Sequence, residues 1–299
     1  MVKRRILLPT FNGVALGRMA ICDLPVGPRY HSLHIVTGDS GAGNTAAPAV
    51  GAIVGEYRVK INGRQQRQMT PTELEVLNLL QGAGYGSQTF VGSANGNGRR
   101  EFGIYFAEPW RKDPRDQDAL AWQTAGARSF QLEADILATP TTPVIGGYAI
   151  VDDFASASPG IVKWFRRNFS ATGSHLDITT LDRADWYQQI SIWDSSDAKS
   201  VQKVILKISG LTLHELLEED NRALLSNYGM NPADGVYHLV LDHDDLLGSA
   251  VPMVDPTSKK PVSDLLLSLD FSATTGYGAA SAAPAGTITA IIQRLGPPE

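Results

Sequence analysis

A chain of 299 residues, 43% hydrophobic and 19% charged, has the makeup of an ordinary folded protein with room for two domains, which excludes a disordered chain. A formal net charge of −5 supplies no concentrated positive field, so nucleic acid is not the expected main partner. The single cysteine, Cys22, excludes an intrachain disulfide and a four-cysteine zinc site, and no apolar run approaches the length of a bilayer span.

Met1-Val2-Lys3-Arg4-Arg5 before Ile6-Leu7-Leu8 imitates the start of a signal peptide, but Pro9, Asn12 and Gly13 stop the apolar run too early, so no export signal is read. The basic tip is then either a plain disordered end or a contact with anionic lipid. Alternation of apolar and polar residues predicts strands at 19–24, 30–37, 53–61, 88–91, 102–107 and 129–137. A helix is predicted over 71–81. Thr70 can cap it, Glu73 can reach back, Pro71 suits its first position, Gly82 lies past its end, and Leu74, Leu77 and Leu80 mark its buried stripe. Ala138-Thr139-Pro140-Thr141-Thr142-Pro143 suits a short stiff linker, which divides the chain into domains at 1–138 and 148–299 with a linker at 139–147. Beyond it, strands are expected at 149–152, 176–181, 187–193, 201–208, 236–241, 265–271 and 287–292. A helical stretch over about 213–225 is opened by Thr212-Leu213-His214-Glu215.

The two halves echo each other. At an offset of 157 (176 − 19), Met19, Ile21, Leu24, Tyr30, Leu33 and Ile35 fall on Leu176, Ile178, Leu181, Tyr187, Ile190 and Ile192, and each half continues with a strand ending at glycine, then a Thr-x-x-Glu pattern. The fold class expected is all-β: two tandem antiparallel β-sandwiches, most plausibly jelly rolls, each with one short helical insertion. Long glycine-rich loops at 38–55, 82–98 and 276–286 would emerge at the sheet ends, where contacts with other molecules are made.

No motif resolves into a catalytic centre. Gly38-Asp39-Ser40-Gly41 spells a serine-protease nucleophile segment, but only His31 and His34 precede it, both in a predicted strand. Gly82-Ala83-Gly84-Tyr85-Gly86 follows a helix, whereas a dinucleotide fingerprint follows a strand and opens one. Asp242-His243-Asp244-Asp245 is the densest set of candidate ligands for a hard cation such as calcium; a solvated acidic turn is the favoured reading, and no other cofactor is expected. Asp152-Asp153 and Glu218-Glu219-Asp220 read as solvated faces, and His175, His214 and His238 as scattered polar positions. Trp164, Phe165, Arg166, Arg167, Asn168 and Phe169 combine arginines with large aromatics, the composition of a protein–protein contact core; an amphipathic strand with snorkelling arginines is the equal alternative.

The segments Leu24-Pro25-Val26-Gly27-Pro28-Arg29-Tyr30, the strand 57–61 ending in Asn62-Gly63-Arg64, Arg166-Arg167-Asn168-Phe169 after Trp164, and Asn227-Tyr228-Gly229 occur in the order found in one family. The chain resembles the double jelly-roll major capsid proteins of tailless, membrane-containing icosahedral bacteriophages, most closely the corticovirus type. Loop 38–55 and the tail beyond 273 depart from that pattern. The resemblance implies a non-enzymatic subunit of the virion capsid. Three copies would form a capsomer of six-fold outline, and capsomers would tile a shell around an internal membrane, assembled in the host bacterial cytoplasm. Its partners would be itself, vertex or membrane proteins of the virion and, through the N-terminus, the viral membrane surface, with calcium at capsomer contacts as the one ion to consider. The alternative from another class is a glycan-binding or glycan-hydrolysing two-domain jelly roll, for which Trp186 and Trp193 would be the exposed aromatics. A third reading is a minor vertex or spike protein of the same kind of virus.

Overall fold

The computed structural model describes residues 2–41, 46–90, 97–154, 159–171, 173–194, 201–244, 246–255, 260–271 and 286–298. The expected loop at 276–286 and Asp245 lie outside these residues, the former but for Gly286. The chain divides into two compact units, Met1–Trp164 with Pro297–Glu299, and Phe165–Gly296. No described helix is long and apolar enough to cross a membrane.

In the first unit, strands β1 (Arg4–Leu7), β2 (Met19–Leu24), β3 (Arg29–Asp39), β4 (Val54–Ile61) and β5 (Arg64–Met69) precede helix α1 (Pro71–Leu80). Strands β6 (Gln88–Phe90) and β7 (Arg99–Tyr105), the one-turn helix α2 (Pro114–Gln117), and strands β8 (Trp122–Gln123), β9 (Phe130–Ile136) and β10 (Pro143–Asp152) follow. One sheet is ordered β1-β10-β3-β7-β6, with β8 also on β3, and the other β2-β9-β4-β5. The alternating residues Tyr30, Leu33, Ile35, Tyr57, Val59, Phe102, Ile104, Leu132 and Ala134 supply the apolar core, with Leu74, Leu77 and Leu80 of α1 buried as well. The predicted capping box is present: the Glu73 amide donates to Thr70 Oγ1 at 3.2 Å and the Thr70 amide to Glu73 Oε2 at 2.7 Å.

Strand β11 (Ile161–Ala171) carries the chain from the first unit into the second. There β12 (His175–Ile178), β13 (Trp186–Asp194), β14 (Lys203–Ile208), β15 (Leu211–Leu217), helix α3 (Glu218–Asn227), β16 (Val236–Val240), β17 (Val251–Pro252), β18 (Leu265–Asp270) and β19 (Gly286–Gly296) form two sheets. One is ordered β12-β18-β14-β15 and the other β11-β19-β13-β16, with β17 also on β13. Strand for strand, these repeat β2-β9-β4-β5 and β1-β10-β3-β7, with β17 standing where β8 stands. The expected duplication is thus present in the topology.

It reaches down to single residues. Asn62-Gly63 and Ser209-Gly210 join their hairpins with all four φ angles positive, between 50° and 78°, the backbone of a turn whose twist matches the flanking strands. Next to each turn the pairing skips one residue: Lys60 and Val59 face Gln65 and Arg67, while Lys207 and Leu206 face Thr212 and His214. Gln66 and Leu213 are therefore the equivalent bulged residues, and Arg67 and His214 are counterparts. Tyr30 donates to the Pro25 carbonyl and Tyr187 to the Asp182 carbonyl, each at 2.7 Å and each five residues upstream.

Two expectations need correction. The segment 139–147 does not divide the units: Pro143, which needs no amide partner there, opens β10, and that strand pairs with β3 from Pro143↔Asp39 onward. The Thr141 and Thr142 amides meanwhile donate to the Asp39 carboxylate, and the division falls after Trp164. The residues 212–215 do not open a helix either; they lie in β15, and α3 begins at Glu218 behind Leu217, with no side-chain cap but with Glu218, Glu219 and Asp220 at its positive end. The helices still correspond, each of ten residues and offset by 147 (218 − 71).

Gly147, inside the expected linker, has φ +151° and its Cβ position is occupied by the His34 carbonyl, whereas Gly146 has open space. Gly147→Ala is therefore expected to cost about 1–3 kcal/mol in denaturant unfolding. Gly146→Ala should leave the midpoint nearly unchanged; equal midpoints for the two variants would restore the linker.

Candidate assembly surface

The six residues singled out by composition all lie on β11. Trp164, the last residue of the first unit, is buried; its backbone bridges Arg67 of β5 in parallel, and the Arg67 guanidinium stands 4.7 Å from its ring centroid. Phe165, half-buried, receives the Arg294 guanidinium at 4.0 Å, and Arg294 reaches Asp182 at 3.4 Å. Arg167 is exposed and pairs with the same Asp182 at 3.0 Å. Asn168, also exposed, accepts from Thr289 Oγ1 at 3.0 Å, and Phe169 packs on the apolar core of its unit. Arg166 is half-buried. The segment is thus an amphipathic strand whose aromatics are used within the chain, while Arg167 and Asn168 face outward.

Arg67 was not legible as a special residue. It is 1% exposed, donating through Nε to the Val162 carbonyl at 2.8 Å and through Nη1 to the Tyr105 carbonyl, with its guanidinium against Phe106, Trp122 and Trp164. Burial pulls the guanidinium down to about 9, against the opposing charge of Glu108, so it remains charged at neutral pH. A second buried group corrects the reading of Asp152 as solvated. Asp152 takes Arg29 Nη2 at 2.7 Å, Arg29 Nε at 3.0 Å and His31 Nε2 at 2.8 Å, and its neighbour Asp153 alone is exposed, paired with Arg4. Burial pushes its carboxyl up, but the bonds from Arg29 and His31 outweigh this and hold it well below the usual carboxylate range.

The remaining motifs have local duties. Ser40 Oγ donates to the Thr142 carbonyl at 3.3 Å, fastening the same strand ends as Asp39. Asp244 accepts from the Leu246 amide and Ser249 Oγ in a turn, while Asp242 is buried. His175 lies between Asp177 and Asp270 at the surface; His214 meets Tyr237 Oη at 2.8 Å and His238 meets Ser191 Oγ at 2.9 Å, both histidines shielded from protonation by burial, at about 4 and about 3. Among the described residues no three His, Cys, Asp or Glu side chains are grouped to hold a metal.

Exposed leucines lie on two strands at sheet edges. Leu7 on β1 is 85% exposed, and Leu211 and Leu213 on β15 are 63% and 41% exposed. Both strands end their sheets.

Comparison with known proteins agrees with this picture. Residues 5–152 match the family of viral coat protein P2 N-terminal domains. Among solved structures, the major capsid protein P2 of bacteriophage PM2 is similar over 99% of this chain and 98% of its own, with a TM-score of 0.71 and 20% identity. The major capsid protein of Sulfolobus Turreted Icosahedral Virus is similar over 99% and 97%, with a TM-score of 0.66 and 10% identity. The PBCV-1 virus capsid is similar over 98% and 93%, with a TM-score of 0.61 and 10% identity. No curated protein sequence matches the chain.

Proposed function

We propose that the chain is a P2-type double jelly-roll coat protein, its residues 5–152 matching that family's N-terminal domain, and that it is a shell subunit that works by binding copies of itself. Three copies associate into a capsomer of six-fold outline, and capsomers tile an icosahedral shell around an internal membrane. One observation carries this reading: the two units share a strand order, a hairpin turn, a bulge and a buried tyrosine bridge, so each copy offers two like-shaped modules and three copies offer six. The glycan reading gains no observation in its favour.

Assembly in the host bacterial cytoplasm fits a chain whose one thiol, Cys22, is buried and pushed up to about 11 by that burial, and so is poorly reactive. Vertex or membrane proteins of the virion are its further partners. Calcium at capsomer contacts would draw on Asp244, the exposed carboxylate of that turn; particles that keep their shape in a chelator would remove it. Sedimentation of the purified protein is expected to give a trimer. A stable monomer at high concentration would overturn the reading.

A further inference from the structure

The repeat leaves two strands without the neighbour that their counterparts have. In the first unit β5 is bridged at Arg67 by Trp164 of β11, and β11 is the strand that flanks β19. The counterpart of β5 is β15, with the same turn, the same bulge and His214 in the place of Arg67. The counterpart of β11 is β1, which flanks β10 as β11 flanks β19. Among the described residues, β15 has a partner only in β14 and β1 only in β10. Each exposes leucines on these edges: Leu211 and Leu213, where the first unit has Arg64 and Gln66, and Leu7. Unpaired, apolar strand edges recruit another strand.

We infer that β15 of one copy takes β1 of a second copy, repeating between chains the bridge that β5 makes with Trp164. This rests on the self-assembly reading and names its contact. The occupant is argued from charge as well as from the repeat. Lys3 and Arg4 already pair with Asp118 and Asp153, and Glu215 and Glu218 with Lys203 and Arg222, so the complementarity lies between the exposed Arg5 of β1 and the exposed Glu219 and Asp220 just beyond β15. The joint is head-to-tail, because the edge that gives and the edge that receives are different strands. Such a joint leaves no free edge only when it closes into a ring, as a trimer does. Leu211 and Leu213 are then apolar because they are covered in the assembly.

Two variants test the joint, Leu211→Lys/Leu213→Lys and removal of residues 2–8, with circular dichroism and thermal unfolding to show that each folds. Wild-type protein is expected to sediment as a trimer and both folded variants as monomers. In wild-type trimers mixed from light and isotopically heavy copies, zero-length carbodiimide coupling should join Lys3 to carboxylates within 215–220 in light–heavy pairs. A trimeric wild type with trimeric variants, or Lys3 couplings found only within one chain, overturns this joint and leaves the shell reading intact. A monomeric wild type instead overturns the shell reading itself.

Discussion

Arg67→Ala is expected to lower the unfolding free energy by about 3–5 kcal/mol, measured by denaturant titration. The substitution leaves the Val162 and Tyr105 carbonyls without their donor, each at about 1–3 kcal/mol, and opens a void between Phe106, Trp122 and Trp164. Arg67→Met should recover part of the loss, because it refills the volume between the rings but pairs neither carbonyl. Arg67→Lys should fall short of wild type, since a point ammonium cannot bond two carbonyls and stack on flat rings at once. An alanine variant as stable as wild type would show that the guanidinium is dispensable.

Asp152→Ala should cost a similar amount, about 3–5 kcal/mol, because Arg29 is left charged and buried with its carboxylate gone. The pH dependence follows from the signs. Asp152 is held below its ordinary value in the fold, so its contribution is fully present above about pH 4 and is lost as pH falls further. His214 and His238 act earlier. Their folded values, about 4 and about 3, lie below the ordinary 6.5, so the unfolded chain takes up their protons first and stability falls as pH drops from about 6.5 toward 4. Burial lowers His34 of the first unit as well, so acid should weaken both units across this range, with Trp193, which lies 6.4 Å from the His238 ring, reporting the step in the second. Hydrogen exchange resolved by unit between pH 7 and pH 3 checks this, and protection of the second unit that stays level from pH 6.5 to pH 4 would contradict it.

Which parts of the molecule could be read from the residues follows from how each signal arises. Strands such as 57–61 and Phe130–Ile136 announce themselves because one side is buried and the other is not, so apolar residues recur at every second position. Helix α1 announces itself because its cap is local, Thr70 and Glu73 lying three residues apart. Strand β5 does not: Arg-Gln-Gln-Arg-Gln-Met lacks apolar alternation, and only the turn at Asn62-Gly63 and its pairing with β4 make it a strand. In β15 the spacing of Thr212 and Glu215 imitates a helix cap, but pairing with β14 claims the backbone first.

The sequence by itself determined that the chain is two β-rich copies of one pattern, because side-chain alternation is short-range and survives duplication, even where the cap of α1 has no counterpart at α3. Tertiary structure alone decided that β10 belongs to the first unit, that the chain crosses after Trp164, and that Arg67, Arg29 and Asp152 are buried. The physical reason is distance along the chain. Arg67 meets Val162 across 95 positions and Arg29 meets Asp152 across 123, and a polar residue is driven inside only when a partner from so far away is already there to satisfy it.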